Sequence, residues 1–395
     1  MNAELLVPLA QSARARRERI HVTSDLERIS SAARVARPEE GISADELQLA
    51  ARNHGLPLES LHWDITPPGL HYLLIHYDIP AIDPGTFELL IDGLVDRSLS
   101  LNLDDLRSRP QVSSVVTLEC AGNGRAQLLP RPVSQPWLTE AVGTARWTGV
   151  SLSSLLQEAG IADGAVDAVF TGADHGIERG VEQDYQRGLP LPEAMAEGVM
   201  LAYEMNGAPL PPQHGAPLRL IVPGWYGMAH VKWLRRITLV AQPFDGFQMR
   251  AYRMRDAADE PGIPLTRIEP RALLAPPGFP DFMSRRRVVK SGDVSIEGRA
   301  WSGWAPVTTV EVSVDGGDTW HPAELEPALD SYGWARWSWT WPAEPGNYVL
   351  SARAADMSGR TQPRAQRWSR GGFANNTIQR VPVTVISSEM SLPAR

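Results

Sequence analysis

The tightest constraint on this chain lies in Val115 to Arg125, VVTLECAGNGR, which carries the only cysteine in 395 residues. The β-branched run Val115, Val116, Thr117 reads as a buried strand, and Ala121-Gly122-Asn123-Gly124 as a tight turn that visits left-handed backbone. Cys120 therefore falls at the mouth of a rigid element. Glycines beside it let a bulky group approach the backbone, and Arg125 adds a fixed positive charge. One cysteine admits no intrachain disulfide, no multi-thiolate zinc site and no covalent c-type haem, which takes a pair of thiols. It is left as a small buried hydrophobe, a soft metal ligand, or a nucleophile served by a nearby histidine in a cofactor-free hydrolase.

The 43% hydrophobic and 21% charged content is that of a globular protein, and the length asks for two domains plus an extension. A formal charge of -8 argues against nucleic acid as a partner. Proline, glycine or charge interrupts every apolar run, so no membrane span is expected. Arg14, Arg16, Arg17 and Arg19 read as a solvated helix face; no apolar stretch follows them, so no secretory signal is expected either. The expected compartment is the cytoplasm; a leader removed before residue 1 would place the protein in the periplasm or outside the cell.

Residues 1–55 read as an N-terminal extension ending in a short helix, with a capping box at Ser43 and Glu46 and a stop at Gly55. HYLLIHYDIP, residues 71–80, reads as a buried strand. Residues 56–260 alternate short strands, short helices and glycine-rich loops in irregular order, which indicates an α+β domain. A helix is expected over Leu152 to Ala159, stopped by Gly160, and a hairpin turn at Asn206-Gly207. Residues 261–284, with Pro261, Pro264, Pro270, Pro276, Pro277 and Pro280, read as a linker. Residues 285–395 show short alternating strands spaced as in an immunoglobulin-like β-sandwich. Eight of the thirteen tryptophans lie from Trp301 to Trp368, a surplus that points to an interface.

ECAGN followed by Arg125 resembles the molybdenum-binding loop of the sulfite oxidase family, and the likeness extends over roughly residues 56–390. It implies a molybdopterin-binding domain followed by an immunoglobulin-like dimerisation domain. It also implies a molybdenum-molybdopterin cofactor with Cys120 as the protein's metal ligand. HGAPLR and GMAHVKW match the family's pterin-binding motifs through His214, Arg219, Gly227, His230 and Lys232, as do His76 and Asp174. On the substrate side Arg125, Trp137 and Tyr252 match residues that hold the anion and line the metal's open position.

The implied reaction is oxidation of sulfite, or a similar small oxyanion or sulfur compound, by oxygen-atom transfer. No haem domain is expected, so electrons pass to a separate cytochrome, another soluble acceptor or oxygen. Two departures bear on the substrate: Leu74 stands where the family carries an arginine, and Arg370 sits one position early in the Trp368-Ser369-Arg370-Gly371 stretch. They keep S-oxide or nitrate reduction and sulfane oxidation open as alternatives. A non-catalytic binding protein would leave the whole constellation unexplained.

Overall fold

The computed structural model describes residues 30 and 33–388, and the Arg14 to Arg19 cluster lies outside them. Residues 89–240 carry ten strands: β1 (Leu89–Gly93), β2 (Leu99–Leu101), β3 (Gln111–Glu119), β4 (Val142–Ser151), β5 (Asp167–Glu178), β6 (Val181–Pro190), β7 (Met200–Met205), β8 (Ala208–Pro209), β9 (Arg219–Ile221) and β10 (Leu234–Val240). They form two sheets, in the orders β2-β1-β10-β5-β6 and β3-β4-β7-β8, with β9 added on β7. Leu89 and Ile91 of the first sheet and Leu201 and Leu220 of the second meet in one apolar core.

Helices are few and short, and their ends are chemically marked. α1 (Ala44–Arg52) begins in the expected capping box, Ser43 and Glu46 each accepting from the other's backbone N–H. α2 (Leu103–Arg107) starts in the same way on Asn102 and Asp105, and α3 (Leu152–Ala159) stops at Gly160, which has a positive φ of 73°. Asn206 and Gly207, both at positive φ, turn β7 back into β8 as that dipeptide predicts. Among the described residues no helix is long and apolar enough to cross a membrane.

The C-terminal part is a two-sheet sandwich. Arg271–Ala275, Gly292–Trp301, Ala335–Ala343 and Glu324–Leu325 form one sheet; the other is built around Arg287–Lys290, Val381–Ile386, Gly346–Asp356 and Val307–Ser313. Leu274, Ile296, Val312, Trp337, Leu350 and Val383 fill the space between them.

Two readings of the sequence need correction. The proline-rich stretch is not wholly a linker: Arg271–Ala275 is a fully buried strand paired with Gly292–Trp301, its prolines standing at the ends where no ladder donor is needed. Residues 71–80 form no strand beyond a single bridge from Leu73 to His54. The backbone there is held by side chains instead, as where Ile75 N–H donates to Asn53 Oδ1 at 2.7 Å. Of the eight C-terminal tryptophans, Trp337 and Trp341 lie in the sandwich core, Trp301 and Trp334 where the two parts of the chain meet, and Trp304 and Trp320 under Arg360 and Arg353.

Candidate active site

β3 delivers Cys120 to the end of a sheet strand, where its N–H donates to Ala141 O at 2.9 Å. The turn that follows is pinned by Asn123, whose amide donates to Glu119 Oε1 at 3.0 Å and Thr139 O at 3.1 Å and accepts from Ala141 N–H at 3.1 Å. The glycines of this turn do a different job from leaving room for a ligand. A Cβ on Gly122 would stand 2.5 Å from Arg125 Nη2, and one on Gly372 would stand 2.5 Å from Arg125 Cγ. Both positions are bare so that the Arg125 side chain can fold back between them. Gly124, at φ 88°, makes room for Asn375.

Two cavities meet at the cysteine. The inner one, about 670 Å³ with its open mouth, is bounded by Cys120, His76, Asp174, His214, Arg219, Gly227, His230, Lys232 and Tyr252. The outer one, about 2150 Å³ with its solvent-open part, reaches Cys120, His76 and Tyr252 from the other side and adds Arg125 and Trp137. Every site residue expected from the sequence therefore borders one cavity or both.

The inner cavity is a buried collection of donors and cations against a single carboxylate. Burial lowers Arg219 to about 10 and Lys232 to about 7, and raises Asp174 to about 6. It lowers His71 to about 4 and His230 to about 3, and His214 further, so the imidazoles are neutral at pH 7. Asp174 is aimed inward by a bulge in β5, where the register with β6 shifts between Thr171 and His175. Arg219 ties the wall together through His214 O at 2.9 Å and lies 4.7 Å over the Trp147 ring. Lys232 Nζ donates to Leu74 O at 2.8 Å and Gln213 O at 3.2 Å, which leaves a third proton for a ligand.

Buried polar atoms without a partner among the described residues cluster here: His71 Nε2, Asp174 Oδ1 and Arg219 Nε. Such atoms cost free energy unless something satisfies them. A polar, anionic organic group does so. Among the described residues no three of His, Cys, Asp or Glu gather to hold a metal. A metal at Cys120 would thus take its other donors from that organic group, which is what a dithiolene-bearing pterin supplies. His230 is the exception in the expected set: Nδ1 accepts from Val222 N–H at 3.1 Å and Nε2 faces Trp225 O at 3.0 Å, so both ring nitrogens are already engaged by backbone. It shapes the wall and has nothing left to offer a cofactor. Gly227 is likewise bare for Tyr72, whose hydroxyl would lie 2.5 Å from a Cβ there.

On the outer side Arg125 is 5% exposed, and its polar contacts are to carbonyls alone, Gly371 O at 2.9 Å through Nε and Gln135 O at 3.2 Å through Nη1. Among the described residues no carboxylate pairs with it. Burial lowers its pKa, the Cys120 side raises it, and Arg179 across the cavity pushes it down again. The Cys120 thiol is pushed up by burial and pulled down by Arg125; a coordinated metal would hold it as thiolate. Tyr252 OH lies 3.2 Å from His76 Nε2, at the border of the two cavities. Arg370 does reach the outer cavity. Sequence reasoning missed Glu178 and Arg179, carried there by the β5–β6 hairpin tip; the signal was Arg179-Gly180, both at positive φ. It also passed over Tyr72, Tyr185 and Met228 on the inner wall.

Residues 76–248 match the family model of the oxidoreductase molybdopterin binding domain, and residues 281–386 that of the Mo-co oxidoreductase dimerisation domain. Mitochondrial sulfite oxidase of Mus musculus is 36% identical over 352 residues, covering 82% of this chain and 62% of that protein. Sulfite oxidase of Gallus gallus is 35% identical over 330 residues, covering 76% and 68%. The chain thus spans about three fifths of the length of the mouse relative. The crystal structure of the sulfane dehydrogenase SoxCD from Paracoccus pantotrophus superposes with a TM-score of 0.74 at 25% identity, covering 96% of this chain and 92% of that one. The chain belongs to the sulfite oxidase family of molybdopterin-dependent oxidoreductases.

Proposed function

We propose that the chain oxidises a small sulfur oxyanion, sulfite in the first instance, at the boundary of the two cavities. Sulfite and water give sulfate, two protons and two electrons, and the electrons go to a separate acceptor. The observation that carries this reading is Arg125: a buried guanidinium without a carboxylate, beside the one thiol, at the end of a solvent-open cavity. Such a group calls for an anion.

Arg219, Lys232, Asp174, His214, His71 and the wall at Gly227 would hold the pterin, and Cys120 would bind its metal. The bound molybdenum supplies two-electron redox chemistry and oxygen-atom transfer. Arg125 binds and orients the substrate oxygens. Trp137, 4% exposed and set against the Cys120 sulfur, screens the thiol from water. Tyr252 sets its hydroxyl at the cavity border, 3.2 Å from His76 Nε2, where it can orient the bound anion by hydrogen bonding. Residues 56–260 act as the catalytic domain and residues 285–395 as the dimerisation domain of a homodimer, in keeping with the second family match. Sulfane oxidation is the second reading, favoured by the superposition on SoxCD over 96% of the chain.

Elemental analysis for molybdenum and steady-state assays with an artificial electron acceptor test this. Bound metal that is lost in Cys120→Ser, with turnover of sulfite, is expected. Molybdenum-replete protein that reduces nitrate or S-oxides and oxidises no sulfur compound would overturn the proposal.

A further inference from the structure

We infer that the outer cavity takes organic sulfinates, anions of the form R–SO₂⁻, with the substituent R lying on the apolar part of the wall that the cavity shares with Arg125. The inference rests on the molybdenum-dependent reading above and narrows its substrate class.

The argument starts with the hydrogen-bonding inventory of Arg125. Nε and one proton of Nη1 are committed to Gly371 O and Gln135 O. One edge of the guanidinium is left, enough for the two oxygens of a monoanion. Among the described residues no second buried cation stands beside it in this cavity: Arg179 and Arg370 lie towards solvent, and Arg52 donates to Tyr77 O and pairs with Asp78 at 3.6 Å. A dianion with oxygens on three sides would need charge or donors on each of them.

One part of the remaining wall is carbon, while His76, Gln135, Glu178 and Tyr252 are among the polar groups that border the rest. Leu74, Ile75, Trp137 and Phe373 border the outer cavity together with Cys120. Ile75 is 6% and Phe373 7% exposed, so the wall is part of the packed structure. It is also rigid: Lys232 Nζ holds Leu74 O at 2.8 Å, and Asn53 Oδ1 holds Ile75 N–H at 2.7 Å. A preformed apolar wall favours a ligand that buries carbon against it. The cavity, about 2150 Å³ with its open part, has space for such a group, whereas a bare inorganic ion would leave this wall facing water.

The chemistry balances. A sulfinate has two oxygens, one carbon substituent and a lone pair on sulfur. Sulfinate and water give the sulfonate R–SO₃⁻, two protons and two electrons; a sulfur–oxygen bond forms, sulfur is oxidised, and a one-electron acceptor is reduced twice. Arg179 and Arg370 at the rim draw the anion in without gripping it.

The test uses the molybdenum-loaded enzyme with ferricyanide as acceptor, comparing kcat/KM for benzenesulfinate, methanesulfinate and sulfite and identifying the sulfonate by mass spectrometry. Benzenesulfinate is expected to exceed sulfite by about tenfold or more, the scale on which an apolar pocket discriminates. Leu74→Arg, which adds a second cation to the wall of the same cavity, is expected to reverse the preference, and Leu74→Met to keep it. Sulfite oxidation with no sulfinate oxidation by the wild-type enzyme overturns the inference and leaves the proposed function standing. Failure of molybdenum-replete protein to oxidise either overturns both.

Discussion

Glu119 and Arg271 join the cysteine strand to the C-terminal sandwich, and removing one of them should cost more than any surface ion pair. Their side chains are 1% and 2% exposed, with Arg271 Nε 2.8 Å from Glu119 Oε1. The N–H points off the oxygen, so the contact is an ion pair, not a hydrogen bond. Glu119 is further held by Trp301 Nε1 at 2.8 Å and Asn123 Nδ2 at 3.0 Å, and Arg271 donates to Asn375 O. Arg271→Met strands a buried carboxylate, for which the cost is about 3–5 kcal/mol. The donors that stay put it at the lower end, about 3 kcal/mol, and at about 2–4 °C per kcal/mol the melting temperature falls by about 6–12 °C. Urea unfolding of Arg271→Met, Glu119→Gln and the double variant, followed by circular dichroism, reads this directly. The double variant should recover about 1 kcal/mol or more of the summed single costs, since it removes the stranded charge. A single variant within about 1 kcal/mol of wild type, or strict additivity, would refute the reasoning. Because Glu119 adjoins Cys120, the same variant should release molybdenum faster on dialysis.

Gly122→Ala places a methyl group 2.5 Å from Arg125 Nη2, so the guanidinium must move; kcat/KM for the anionic substrate should fall about tenfold or more, as for a lost charged hydrogen bond, with molybdenum content unchanged. Tyr252→Phe removes the hydroxyl 3.2 Å from His76, and should lower kcat more than it raises KM, which stopped-flow turnover can separate. Lys232 gives a pH dependence in the cofactor-free protein. Its folded value is lowered to about 7 by burial, then by Arg219, against about 10.4 when unfolded. Below pH 7 both states hold the proton and the burial cost is complete; between pH 7 and about 10 the unfolded chain binds the proton that the folded one has lost, so stability rises with pH. Because the side chain is only half-buried the pH window is narrower than the full shift implies, and the dependence should vanish in Lys232→Met when unfolding midpoints are compared from pH 6.5 to 9.5.

Where local chemistry decides an element, it was legible in the sequence. The capping box at Ser43, the stop at Gly160 and the turn at Asn206-Gly207 are each set by side chains within a few residues of one another. Decisions taken by distant partners were not. Residues 71–80 have the apolar run of a strand, yet their backbone donors go to Asn53 and His54. Arg271–Ala275 hides among prolines because its register comes from Gly292–Trp301. The bulge that turns Asp174 inward lies in the pairing of β5 with β6, which no local pattern records.

The histidines show the limit most clearly. Family motifs place His230 among the cofactor-binding residues and do not include His71, and composition cannot tell the two apart. Both are almost completely buried, at 3% and 1% exposed, and both are neutral at pH 7. What differs is their neighbours: Val222 N–H and Trp225 O engage both nitrogens of His230, while Tyr72 O takes Nδ1 of His71 at 3.1 Å and leaves Nε2 facing the inner cavity. A buried imidazole nitrogen with no partner is unfavourable in the empty protein and favourable once a ligand meets it. Changing His71 to Phe should therefore weaken cofactor retention while leaving the cofactor-free fold as stable as before or more so. The same change at His230 should destabilise the cofactor-free fold itself, by stranding Val222 N–H and Trp225 O, at about 1–3 kcal/mol for each group left without a partner.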